Sequence, residues 1–174
     1  GRKRILFATS SQEWPIPAML KADALASCLE ADLCVLLVRQ TVRSWRRLIQ
    51  SICMQDPVRE REGLTESRAQ ALERCKYVLP GSFAADRLRV QQGDYTAAVT
   101  RAVTDLEAEL VVVPPGRGIG LLAMDIALAS RVPVLVARPA RGRNVVVAAT
   151  NLADGRHAVV RKAAQLGESV GARM

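Results

Sequence analysis

Short, fully apolar runs alternate along this chain with longer stretches whose apolar residues recur every three or four positions. The first run is Arg4-Ile-Leu-Phe-Ala-Thr-Ser10, which closes on small polar residues. Trp14-Pro15-Ile16-Pro17 follows, and proline suits the first turn of a helix. The predicted helix carries Leu20, Ala24, Leu25, Cys28 and Leu29 on one face and ends near Ala31 and Asp32. Leu33 to Val38 is apolar throughout, the pattern of a parallel strand covered on both faces. Beyond a variable stretch, Leu64 to Val78 reads as helix and Ala85 to Val90 as a short strand. Thr96 to Ala108 places Val99, Ala102, Val103 and Leu106 at i, i+3, i+4 and i+7, a helix with one buried stripe. Leu110 to Val113 is another apolar strand. The turn Pro114-Pro-Gly-Arg-Gly-Ile-Gly120 leads into a helix over Leu121 to Ser130, and Val132 to Ala137 is the last strand of the unit. Strands that alternate with helices and are apolar right through predict a doubly wound α/β fold, a parallel sheet with helices on both faces.

The remaining segment repeats the opening one. Thr150 follows Thr9, Leu166 follows Leu25 and Ala172 follows Ala31 at a common offset of 141 residues. Val146-Val-Ala-Ala-Thr-Asn151 echoes Ile5-Leu-Phe-Ala-Thr-Ser10, and an amphipathic helix follows each. Chance similarity between two generic βα units is one account. The shared offset favours the other: residues 1–140 form one domain, and 141–174 are the first strand and helix of a second, truncated repeat.

Of the 174 residues, 49% are hydrophobic, enough for a core and too many for general disorder. The net charge is +8, but only six residues are aromatic, which argues against a nucleic-acid reader that stacks on bases. No apolar run comes near the roughly 20 residues of a bilayer span. The basic start, Arg2-Lys3-Arg4, is followed by too short an apolar run for a secretory signal. A soluble protein of the cytoplasm is expected. The chain opens on Gly1 rather than Met, so trimming or tagging is expected too. Cys28, Cys34, Cys53 and Cys75 lack C-x-x-C spacing and His157 stands far from them, so no metal site is predicted and the thiols read as small, reduced core residues.

Ten of the 25 basic residues fall in three stretches without an acid, at Arg2–Arg4, Arg39–Arg47 and Arg138–Arg143. The other 15 face 17 acids, so the excess is local. Thr41 to Gln55 is amphipathic, with Val42, Trp45, Leu48, Ile49 and Ile52 on one side and Arg43, Arg46, Arg47 and Gln50 on the other. Such a helix lies on an anionic membrane, meets an acidic partner, or packs on the core with its arginines in water; the last is commonest.

The opening strand with Ala8-Thr9, the strand Val111-Val112-Val113, the glycine turn and the closing Val132-Pro133-Val134-Leu135-Val136 together resemble the universal stress protein family. The resemblance covers roughly residues 3–139, and 144–174 resemble the start of a second copy. It implies a five-stranded parallel sheet of order 3-2-1-4-5, dimerisation through the last strand and, in one subgroup, ATP binding. In such folds ligands sit outside the carboxyl ends of the strands at the topological switch point. Glycines there let backbone N–H groups approach phosphates, and a helix N-terminus adds a favourable dipole. Candidate ligand-binding residues are therefore Thr9, Ser10, Gly116, Arg117, Gly118 and Gly120, with Arg117 within reach of a phosphate.

The match departs from the ATP-binding pattern that the resemblance implies, a Gly-x-x-Gly, a spacer of about nine residues, then Gly followed by Ser or Thr. Leu121 stands where that hydroxyl belongs, the spacer is nearly gone, and Ser10 and Asn151 replace an expected acid. Gly116, Gly118 and Gly120 then read as a tight strand-to-helix turn. No Ser/His/Asp set exists, Asp94 reads as a helix cap and Asp125 as a surface residue, so no catalytic residue is assigned. The expected function is a stress-response regulator, not an enzyme. It works through an unknown protein partner and a homodimer formed by Val132 to Ala137, with no cofactor. The alternatives are an ATP or AMP sensor with an altered phosphate loop, and a regulatory domain of a transporter or sensor kinase.

Overall fold

A computed structural model of the chain describes residues 3–10, 14–39, 57–79, 81, 83–116, 119–138 and 158–169. The apolar runs lie side by side as strands β1 (Arg4–Ser10), β2 (Asp32–Arg39), β3 (Leu88–Gln92), β4 (Leu110–Val113) and β5 (Val134–Val136). All neighbours are parallel, in the order β3-β2-β1-β4-β5. This confirms the predicted doubly wound sheet and its order. The helices are α1 (Ile16–Cys28), α2 (Pro57–Val78), α3 (Tyr95–Leu106), α4 (Ile119–Ser130) and α5 (Ala158–Ser169).

Side chains alternate across the sheet, so each strand feeds two cores. Ile5, Phe7, Leu33, Val35, Leu37, Leu88, Leu110 and Val112 join α1, α2 and Leu166 of α5 on one face. Leu6, Ala8, Cys34, Leu36, Val38, Val111 and Val113 join α3 and α4 on the other. Both clusters draw on β1, β2 and β4, which is why those strands show no polar alternation.

Several sequence expectations shift, and the last strand, expected over Val132–Ala137, spans only Val134–Val136. α1 buries Ala18, Met19, Ala22, Leu25 and Ala26, whereas Leu20, Ala24 and Cys28 are exposed. Leu25 and Leu29 belonged to the correct stripe, but 20, 24 and 28 step by four residues along the opposite, outer side. The strand expected from Ala85 starts at Leu88, because Ala85–Arg87 is a turn of 3-10 helix and pairing with β2 begins at Val35↔Leu88. The helix expected from Leu64 starts at Pro57, a residue suited to a first turn. Arg117, Gly118, the whole Thr41–Gln55 segment, the strand expected over Val146–Asn151 and His157 lie outside the described residues.

Candidate functional site

β1 pairs with β4 only as far as Phe7↔Val112, so Thr9 and Ser10, still paired with Leu37 and Val38 of β2, lie level with Pro114 and Pro115 beyond the end of β4. This is the switch point, where β1 feeds α1 on one face and β4 feeds α4 on the other. Thr9 is 1% exposed and forms part of the floor, and Ser10 at the rim is half-buried. Pro114 is buried, whereas Gly116 is exposed. A Cβ added at Gly116 would meet nothing within 4 Å, and its φ lies outside the left-handed region, so neither strain nor close packing demands glycine there. Gly120 falls in the first turn of α4, where unpaired N–H groups point out of the helix. The structure thus places Thr9, Ser10, Gly116 and Gly120 around one end of the sheet.

Tyr95 is a part of this end that periodicity did not flag. Its phenol donates to the carbonyl of Ala8 at 2.8 Å, tying the start of α3 to β1 directly below Thr9. Burial raises its pKa, so the hydroxyl stays protonated and remains a donor. Asp94 accepts from the Ala97 N–H at 2.9 Å and caps α3, its predicted role. Gly93 before it has φ +136°, a conformation that an L residue rarely adopts, and donates its N–H to Arg39 at 3.0 Å. The β3–α3 turn is therefore held from both sides.

Two described positions depart from the ATP-binding pattern that the resemblance implies. Leu121, at the position that calls for a hydroxyl, is 69% exposed and carries only methyl groups. Ser10 offers a neutral hydroxyl where an acid would hold a ribose. The described residues at this end provide backbone N–H groups and one open glycine.

Two cavities lie elsewhere. One, of about 150 Å³, is lined by Asp23, Ser27, Phe83 and Arg87 near the amino ends of the strands. Burial raises the pKa of Asp23, and Arg87 pairs with Asp32 at 3.0 Å. The other, of about 370 Å³, lies between α1 and α2 against Trp14, Ile16, Arg74 and Tyr77. There the Arg74 guanidinium sits 5.5 Å from the Trp14 ring, and the buried Trp14 Nε1 has no hydrogen-bond partner. Among the described residues no group of His, Cys, Asp and Glu could hold a metal ion, and no helix is long and apolar enough to cross a membrane. Burial pushes the Cys75 thiol up to about 11 and raises that of Cys34, whereas Cys28 is exposed.

Among the described strands, β5 is an edge of the sheet. Val111 donates to the Pro133 carbonyl at 3.0 Å and Ala137 donates to Val113 at 2.9 Å, so residues 133, 135 and 137 turn their polar groups towards β4. The N–H groups of Val134 and Val136 face away from the sheet. The Val136 carbonyl already accepts from Arg138 at 3.0 Å. Ala137 lies in the Val132–Ala137 stretch expected to form the homodimer, but its N–H is thus used within the chain.

No protein-family model matches the chain, and no curated protein does either. Solved structures do. The chain is similar to the hypothetical protein MJ0577, whose biochemical function was assigned from its structure, with 16% identity, a TM-score of 0.51, and 81% of this chain and 99% of that one covered. It is also similar to a universal stress protein in complex with cAMP, at 16% identity and a TM-score of 0.49 over 80% of this chain and 98% of that one. A member of the same family from Burkholderia pseudomallei is 20% identical, with a TM-score of 0.43 over 80% and 97% of the two chains. At these identities the likeness is one of fold: a Rossmann-like sheet of order 3-2-1-4-5, as in the universal stress proteins.

Proposed function

We propose that the chain is a regulatory protein of the universal stress type that acts in the cytoplasm by pairing with a second copy and with a protein partner, without catalysis and without tight ATP binding. The β5 edge carries this reading. Two outward N–H groups, at Val134 and Val136, border one of the two edges of the described sheet. An unpaired edge is a template for another strand, and a two-fold pairing satisfies both copies with one surface. Residues 133, 135 and 137 turn their polar groups towards β4, which confines outward pairing to Val134 and Val136.

The switch-point residues support the second half of the proposal. Binding through Thr9, Ser10, Gly116, Arg117, Gly118 and Gly120 without the acid and the hydroxyl loses two polar contacts. At about 1.5–3 kcal/mol for each charge-assisted contact, this weakens ATP by roughly two orders of magnitude or more. Calorimetric titration with ATP, AMP and cyclic AMP tests this, and a micromolar ATP dissociation constant would refute it.

Sedimentation tests the dimer. The chain should be dimeric at roughly tens of micromolar. Val134→Pro should return it to monomer, because it removes one outward N–H and no bond to β4. A wild-type monomer, or a variant that stays dimeric, refutes pairing through β5.

A further inference from the structure

We infer that α5 is a second copy of α1 and that it docks on the chain's own sheet as a built-in partner for the α1-side face. The offset of 141 residues carries Ile16–Cys28 onto 157–169, and the observed helix is Ala158–Ser169. The exposure of individual side chains follows the same offset. Ala163, Leu166 and Gly167 are buried, as are Ala22, Leu25 and Ala26. Ala164 is half-buried like Asp23, while Arg161, Gln165 and Glu168 are exposed like Leu20, Ala24 and Ser27. A helix unrelated to α1 could present its apolar stripe at any rotation. Here the phase of burial coincides with the phase of the sequence echo at each described side chain.

The place that α5 fills is open for a helix of this kind. α1 packs on β1 and β2, and α2 packs on β3. The residues of β4 that face the same side, Leu110 and Val112, belong to one cluster with Ala137 and Leu166, and Leu135 of β5 packs against it. Among the described helices α5 is therefore the one left to cover this half of the face. Small residues at 163 and 167 flank Leu166, as alanines flank Leu25, and allow the helix a close approach to the sheet. Lys21 of α1 donates to the Arg138 carbonyl at 2.5 Å, anchoring the point where the chain leaves β5. The face is thus occupied in cis by a duplicate of the helix that covers its other half, and a protein partner must find a different surface.

The full 174-residue chain tests this. Leu166→Asp should lower the melting temperature by roughly 5–10 °C and abolish hydrogen-exchange protection over 158–169. Leu166→Ala should fall between it and the wild type, and Glu168→Ala on the exposed side should change neither. If the aspartate variant does not fold, the alanine variant and exchange on the wild type carry the same information. A chimera in which residues 158–169 are replaced by the sequence of 17–28 should keep the protection and the melting temperature. The same twelve residues slid by two positions should lose both. Equal behaviour of the two chimeras would overturn the equivalence with α1. Protection that is unaffected by Leu166→Asp would overturn docking through that residue. Protection that emerges only at concentrations where the chain dimerises would place α5 on a neighbouring copy and overturn docking in cis.

Discussion

Helices α3 and α4 lie on the same face of the sheet, have twelve residues each and close the same hydrophobic cluster, yet their outer sides differ. α3 turns Arg101, Thr104 and Asp105 to water, and Asp105 pairs with Arg89 at 3.1 Å. α4 turns out Leu121, Met124 and Leu128, which are 69%, 52% and 72% exposed, and has Asp125 as its one charged residue. The inner stripe of a helix is set by the sheet it covers, whereas its outer side is set by whatever it faces. The comparison separates what the fold requires from what it leaves open.

The inner stripes should respond alike. Leu106→Ala in α3 and Ile126→Ala in α4 should each cost about 2–4 kcal/mol in chemical denaturation, because both side chains are buried in one cluster. A cost below 1 kcal/mol at Ile126 alone would mean that α4 is not an equal part of that core. The next effect concerns the start of α3. Asp94→Ala should cost about 1 kcal/mol through loss of the bond to the Ala97 N–H. The helix ends come next, since Glu107 after α3 and Arg131 after α4 both sit in the left-handed region, at φ 49° and 58°. Glu107→Gly and Arg131→Gly should each stabilise by about 0.5–1 kcal/mol, because glycine adopts this conformation without a Cβ penalty. The smallest change in stability belongs to the outer side of α4. Leu121→Lys with Leu128→Lys should alter folding by no more than about 0.5 kcal/mol while raising the solubility limit. A large loss of stability would show that these leucines are part of the folded structure and not free surface.

The strands were the most legible part of the sequence, because a strand buried on both faces leaves a run without interruption. Leu110–Val113 and Arg4–Ser10 match their predicted bounds for this reason. β3 is the other edge strand and carries Arg89, Gln91 and Gln92, so its start was read three residues early. The stripe of α3 was legible since its outer side is polar. That of α1 was not, because Ile16, Leu20 and Ala24 are apolar on the exposed side and mask the period. At the switch point, sequence could place Thr9, Ser10, Gly116 and Gly120 at one end of the sheet. It could not show that Gly116 is free of steric demand or that Tyr95 supports the floor. Both depend on what lies across the fold, and Ala8 stands 87 residues from Tyr95. The candidate site was thus legible as a location and illegible as a set of contacts.

Cys34 and Cys75 sit in the two cores on opposite sides of the sheet. At neutral pH a thiol that is shielded and held protonated reacts only during moments when its layer opens. In a Cys28→Ser, Cys53→Ser background the two labelling rates would be separate clocks, Cys75 timing the layer of α1 and α2, and Cys34 that of α3 and α4. Equal rates mean that the sheet sheds both layers in one event, and unequal rates identify the layer that loosens first. The same burial has an alkaline cost. The Cys75 thiol ionises at an ordinary value near 9.0 once unfolded but only at about 11 in the fold. Between those values the folded chain holds the extra proton, so stability should fall as pH rises through that window, and Cys75→Ala should flatten the fall.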